Sequence, residues 1–363
     1  ASKINSYAEA VQGTYLNNDY FIRNRNGNCK FLNVLQGENH SDADDWYQRM
    51  KHYCDPKAFP NEHFNGWAMG GQNMCDLHLT LKRLVALRFD GLLEKGKQDW
   101  MHFLGTSKLE WAVLLTDIQR AVRKYHNENF TISYDCASPF LATANGQMYI
   151  QTEIQDRKKW LYRMLPTLDS KKYASDTRLF RDALIQDGVF PYVENSPVLD
   201  LVKTNEICVY APGNLNRMGK ENKTSWDSFT YAILMGHNVW MHLNSVQEAN
   251  RQYDNGVIPA MLVQERFDRI YFKDVINEIF ATSDRGKAEK IIEDFSKFWM
   301  AIPGTRGYTG KRTINANTNF AKLFDEVEEN VVSSHEDGEF SEEETDKLEE
   351  FETKTEQEVD INE

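Results

Sequence analysis

Cysteine is scarce and scattered in this chain of 363 residues: Cys29, Cys54, Cys75, Cys136 and Cys208 form no CxxC or CxC pair. Neither a disulfide framework nor a cysteine-rich zinc site is legible, so a reducing, cytoplasmic-type compartment is expected. Long apolar runs are lacking too. None approaches the roughly 20 residues that span a bilayer, no secretory signal is evident, and no membrane partner is expected. A P-loop is absent: in "PGTRGYTGKRT" (303–313) the step from Gly304 to Gly310 is one residue too long, and Arg312 follows the lysine. His237 and His242 stand five apart on a helix-like run, which is not the zincin spacing, and read as core or surface histidines.

An excess of positive charge is missing as well, but the deficit is local. The formal charge is −13. From Asp325 onward roughly 18 acids face 2 bases, leaving about +3 for everything before, so the folded body is near neutral. A polyanionic partner such as nucleic acid therefore remains open. Residues 325–363 are low-complexity and acidic, and are expected to form a disordered tail.

What the sequence does hold is a repeat. The apolar segments "CKFLNVLQG" (29–37), "FNGWAMGG" (64–71), "DWMHFLG" (99–105) and "FTISYD" (130–135) end at intervals of roughly 30 to 35 residues, the size of a βα unit. Helix-period stretches lie between them. Leu77, Leu81, Leu84, Val85 and Leu92 share one face, as do Leu114, Ile118, Ala121 and Val122. Nearly continuous apolar strands imply a parallel sheet covered by helices. Each strand ends in something small or polar: Gln36-Gly37, Gly70-Gly71, Gly105-Thr106 and Asp135-Cys136. Ligands of parallel α/β folds sit at those carboxyl ends. Glycine there permits close approach to the backbone. Four units cannot close an eight-stranded barrel, so the chain is either half of one or a small open sheet; the half barrel is preferred.

After residue 150 the rhythm changes. Residues 151–225 read as an irregular, charged insertion with helix-like pieces such as "DRKKWLYRML" and "DTRLFRDALI", and 226–324 as a helical C-terminal region. The basic residues Arg306, Lys311 and Arg312 are candidates for phosphate contact. Trp226, Trp240 and Met241 look like packing residues.

The stretch "YDCASPFLATANGQMY" resembles the nucleophile segment of tRNA-guanine transglycosylases, roughly F-D-C-V-x-P-T-R-x-x-R-N-G-x-x-F, with Asp135, Cys136, Pro139, Asn145 and Gly146 in matching places. "FLNVLQGE" is similar to the family's G-I-Q-Q-G-S, "FNGWAMGG" to F-D-G-Y-A-V-G-G, and "MHFLGTSKLEWAVLLTDIQRAV" to the unit that follows. The resemblance covers about residues 1–150, and is thinner at 225–254. It implies a (β/α)8 TIM barrel of the transglycosylase type, of which residues 1–150 carry about the C-terminal half.

The resemblance also implies an enzyme that exchanges guanine for a 7-deazaguanine in a nucleic acid. Asp135 would be the nucleophile; Gln36, Gly37, Gly70, Gly71 and Gly105 would bind the base; Asn145 would lie on the nucleic-acid side. The partners implied are DNA or tRNA and a 7-deazaguanine base, with no cofactor. The family's strands with its other two aspartates are not among these four units. The rest of the barrel would come from another chain or a preceding segment, and the opening "ASKINSYAEAV", without Met, fits an upstream part. An isolated half barrel exposes strand edges, so poor solubility or oligomerisation without a complement is expected. The family's two loop arginines are replaced by Leu141 and Ala144, and of its zinc cluster only Cys208 and His237 lie in the right region, so no metal is expected. These departures fit the phage and genomic-island branch that acts on DNA slightly better, with the bacterial host cytoplasm as location. Two other readings of the same residues stand: Asp135 as a turn-forming or capping aspartate, and the chain as a non-catalytic partner or nucleic-acid-binding paralogue.

Overall fold

The computed structural model describes residues 6–37, 39–74, 76–144, 147–154, 160–166, 171–186, 196–208, 228–265 and 269–304. Helix α1 (Tyr7–Asn24), capped by Ser6, leads into three βα steps and a fourth strand. These are β1 (Leu32–Leu35), α2 (His40–Met50), β2 (Gly66–Met69), α3 (Leu77–Phe89), β3 (Trp100–Phe103), α4 (Leu109–Tyr125) and β4 (Thr131–Tyr134). All four apolar segments are strands. They pair in parallel in the order β1-β2-β3-β4, with Leu32, Gly66, Trp100 and Thr131 in one row. The protein is thus mixed α/β with a four-stranded parallel sheet. Among the described residues the sheet is open, with β1 and β4 at its edges.

Right-handed crossovers between neighbouring parallel strands put α2, α3 and α4 on one face of the sheet. Asn33 shows which face: its side chain is buried and donates to the Met50 carbonyl at the end of α2, 2.7 Å away. Leu35, Trp67, Met69, Met101 and Phe103 share that side by strand alternation and are all buried. Fully burying side chains of this size is worth about 1.5–3 kcal/mol each. The opposite face carries Leu32, Val34, Trp100, His102, Thr131 and Ser133, none of them buried, around the buried Gly66 and Ala68 of β2.

The helix ends follow local chemistry. Asn39 caps α2 and Asp76 caps α3, each accepting from a first-turn N–H. Helix α3 stops at Phe89, so Leu92 is not on its face as the periodicity suggests. Gly91 (φ 71°) adopts the left-handed conformation, Gly91 N–H bonds Arg88 O, and Leu92 N–H bonds Leu87 O. That double bond pattern closes the helix at Asp90-Gly91. Leu92 is buried beyond the turn, and its carbonyl takes the Trp67 indole proton.

Past β4 come α5 (Ser138–Ala144) and an antiparallel pair, β5 (Gln147–Glu153) with β6 (Leu161–Pro166). Strand β5 runs across residue 150. The expected helical piece "DRKKWLYRML" is strand in its described part, because pairing with β5 turns Met164 into a small core with Ala142, Tyr149 and Met241 while Arg163 faces out to Glu153. "DTRLFRDALI" does contain a helix, α6 (Phe180–Gln186), followed by the short α7 (Pro197–Leu201) and α8 (Thr204–Ile207). Helix α9 (Ser228–Asp254) packs on α5, β5, α7, α8 and α4, and so ties this part to the sheet. A short hairpin, β7 (Val263–Glu265) with β8 (Arg269–Tyr271), precedes α10 (Phe272–Ala281), α11 (Arg285–Asp294) and α12 (Ser296–Ala301). These last helices form an outer layer on α3 and α4, secured by Arg88 Nη1 on Phe280 O and Trp111 Nε1 on Pro303 O, both 2.8 Å. No helix among the described residues is long and apolar enough to cross a membrane. The acidic segment from Asp325 lies outside the described residues.

Candidate functional site

The parallel ladder continues one residue past the strands. Gly70 N–H bonds Leu35 O, Leu104 N–H bonds Met69 O, and Asp135 N–H bonds Phe103 O. Gln36, Gly70, Leu104 and Asp135 therefore form a row at the carboxyl ends, on the uncovered face. Its two ends are built differently.

At the β1–β2 end, Gln36 lies over a pair of glycines. A methyl group on Gly70 would come within 2.8 Å of the Gln36 amide nitrogen, and one on Gly71 within 2.8 Å of the Gly37 carbonyl. Gly71 has φ 52° and Gly37 φ 145°, and a methyl on Gly37 would meet the Ala43 backbone at 2.6 Å. Glycine is therefore demanded here by conformation and by space. Four of the expected base-binding residues (Gln36, Gly37, Gly70 and Gly71) are brought together.

At the β3–β4 end, the Asp135 carboxylate is 64% exposed. Its Oδ1 accepts the Gly105 N–H at 3.1 Å and faces His102 Nε2 at 3.3 Å. The Thr106 N–H takes the Asp135 carbonyl at 2.7 Å. Gly105 has φ 68°, the conformation that turns its N–H toward the carboxylate. Among the described residues Oδ2 has no partner. Behind His102, Nδ1 lies 2.8 Å from Ser133 Oγ, and the Trp100 indole donates to that same oxygen at 2.7 Å. Gly105 thus belongs with Asp135 and not with Gln36. Three strand spacings separate the two ends, about 14 Å in a flat sheet.

The segment after Asp135 is held from behind by α9. The buried Asn238 side chain donates to Thr143 Oγ1 (2.9 Å) and Gln147 O (3.0 Å) and accepts from Tyr149 N–H (2.9 Å). His237 Nε2 donates to Tyr149 O at 2.7 Å. His242 Nε2 approaches Cys136 Sγ at 3.4 Å, and its ring stacks on Tyr162. Burial lowers both histidines to about 4, so both are neutral near pH 7. Tyr134 is raised to about 12, first by burial and then by the nearby Cys136.

Cys208 sits in a separate apolar cluster with Met148, Phe180 and Leu234, while His237 serves the Tyr149 carbonyl. Among the described residues no group of three or more His, Cys, Asp or Glu side chains is placed to hold a metal ion. Asn145, Gly146, Arg306, Lys311 and Arg312 lie outside the described residues. Leu141 and Ala144 are exposed on α5, with Phe140 beside them. Trp240 is partly buried and Met241 fully, as packing residues should be.

His102, Ser133, Trp100 and Asn238 are not singled out by the motifs. A period-two signal was present: Trp100 and His102 on one strand, Ser133 and Asp135 on the next, each pair on one face. It becomes a site only with the register that lays His102 opposite Ser133. No protein-family model matches this chain, and no curated protein matches it.

Proposed function

We propose that this protein is a nucleic-acid guanine transglycosylase that exchanges guanine for a 7-deazaguanine through a covalent bond between Asp135 and the sugar. In the first displacement the Asp135 Oδ2–C1′ bond forms as the C1′–N9 bond breaks. The electron pair leaves with guanine, whose N9 takes up a proton. In the second, the incoming base attacks C1′, loses its N9 proton, and returns the bonding pair to the carboxylate. Solvent carries the proton between the two bases, and two inversions retain configuration. The target base must first leave its stack.

The observation that carries this reading is the paired build of the row: a carboxylate with one oxygen pinned and one free, and a glycine-lined amide at the other end. A nucleoside laid along the row would set its sugar at Asp135 and its base edge at the Gln36 amide, which packs directly over Gly70 and Gly71. The strand order supports a barrel fragment. A doubly wound sheet reverses its order at a switch point, whereas β1 to β4 step one way, as in a (β/α)8 barrel of the transglycosylase type. The remaining strands would then come from another chain or segment placed against β1 and β4. Leu141 and Ala144, exposed on α5, offer no charge to a phosphate where the resembled family carries arginines, which fits its DNA-acting branch slightly better.

One observation favours a second reading. The Asp135 carboxylate stands largely in solvent on an edge strand, as it would in a non-catalytic partner subunit or nucleic-acid-binding paralogue. Incubation with guanine-containing DNA or tRNA separates the two. The enzyme is expected to give a band shift that survives denaturation, absent in Asp135→Asn. A shift that persists in the variant defeats the nucleophile assignment, and binding without any adduct supports the partner.

A further inference from the structure

We infer that His102 is a positioning residue for the Asp135 carboxylate, fixing which oxygen attacks the sugar and easing the departure of that oxygen afterwards; this rests on the transglycosylase reading above. The Trp100 indole can only donate, so Ser133 Oγ accepts from it. The single Ser133 hydroxyl proton is then free to point at His102 Nδ1, 2.8 Å away. A neutral His102 whose Nδ1 accepts must carry its proton on Nε2, the nitrogen that faces Asp135 Oδ1. The opposite tautomer would aim a lone pair at a carboxylate. Every donor in the series Trp100, Ser133, His102 thus points one way, toward Asp135.

The sheet enforces this series. His102 and Ser133 are register partners on adjacent strands, and Asp135 lies one pleat further on the same face. With Gly105 N–H also on Oδ1, the carboxylate is held by two donors on one oxygen, and Oδ2 is left as the attacking atom. The donors do not act equally throughout the cycle. The free carboxylate carries a full charge, and charge-assisted hydrogen bonds are the stronger kind. In the glycosyl–enzyme, Oδ1 is an ester carbonyl and the same bonds are weaker. His102 therefore stabilises the carboxylate as leaving group more than it stabilises the ester, and its main effect falls on the second displacement.

The test uses the full chain together with whatever co-purifies, in three variants and two readouts. His102→Phe keeps a ring without donors; turnover is expected to fall about tenfold while the trapped adduct becomes a larger fraction of the enzyme. His102→Gln supplies an acceptor for Ser133 and a donor for Asp135, and is expected to recover most of the turnover. A packing role alone predicts the reverse ranking. Nitrogen-15 NMR of the imidazole is expected to find the neutral ring protonated on Nε2, with that preference lost in Ser133→Ala. A proton on Nδ1, or wild-type turnover in His102→Phe, overturns the inference while leaving the nucleophile untouched. No adduct from the unaltered chain with any guanine-containing polymer overturns the transglycosylase reading, and this inference with it.

Discussion

The two faces of the four-stranded sheet are made from alternate residues of the same four strands, yet they differ in packing and in polarity. One is packed against helices with Leu35, Trp67, Met69, Met101 and Phe103 all buried. The other shows Trp100, His102, Thr131 and Ser133 partly or wholly to solvent, and joins Trp100, Ser133 and His102 by hydrogen bonds. The difference separates two tasks. The covered face holds the fold together, whereas the uncovered face holds a carboxylate in one orientation and contributes little to stability.

Paired truncations give the largest expected contrast. Phe103→Ala, on the covered face, should destabilise the protein by about 3–5 kcal/mol, because a large side chain leaves a cavity that packed helices cannot close. Thr131→Ala, on the uncovered face, removes only exposed hydrogen bonds with Arg123 and the Asn129 carbonyl and should cost about 1 kcal/mol or less. Denaturant unfolding measures both, and equal losses would erase the distinction.

A smaller effect is expected at the helix that holds the segment after Asp135, where acid should destabilise the fold. His237 and His242 are lowered from 6.5 to about 4 by burial. Between those values the unfolded chain binds more protons, so stability is present above about pH 6.5 and is lost as pH falls toward 4. Each histidine accounts for on the order of 3 kcal/mol of that loss. Asp117 opposes it. Burial raises its carboxyl from 3.8 to about 6, against the Tyr253 hydroxyl and Arg120, so acidification over that window returns about 2 kcal/mol. Two histidines outweigh one aspartate, and net acid lability is expected. Melting temperature against pH should fall below pH 6.5, and the fall should be shallower in His242→Phe. A flat profile would refute the buried-neutral assignment.

The smallest effect sharpens the contrast between the two ends of the row. Gly70→Ala meets only the movable end of the Gln36 side chain, so stability should drop by about 1 kcal/mol or less. Binding of free guanine by calorimetry should nonetheless weaken, because the amide is pushed aside. Gly37→Ala instead meets the Ala43 backbone at a positive φ and should cost more in stability. Equal stability losses in the two variants would show that Gln36 is not free to move.

Much of this architecture is legible before any coordinates. The four strands and their carboxyl ends can be read because apolar runs stop at glycine or a polar residue; the alternation of burial along β1 and β3, with one face uncovered, is less evident because that face also carries apolar residues. The glycines around Gln36 are legible for the same reason. Two local features mislead. Periodicity carries α3 on to Leu92, although the Asp90-Gly91 turn is written in the sequence. "DRKKWLYRML" looks helical until pairing with β5 decides its conformation. The His102 series is hidden for a different reason: a hydrogen bond between strands depends on register, and register is a property of two segments at once. The hold that Asn238 keeps on Thr143, Gln147 and Tyr149 is hidden likewise, since about 90 residues of chain separate the partners.

Under the proposed function, Asp135 bonds to a sugar carbon while a purine is exchanged. Mass spectrometry of the denatured, protease-digested complex with guanine-containing DNA or tRNA tests it most directly. The expected result is a peptide spanning Asp135 that carries a nucleotide lacking its guanine, and no such peptide from Asp135→Asn. An adduct mapped to another residue, or one formed equally by the variant, would contradict the account.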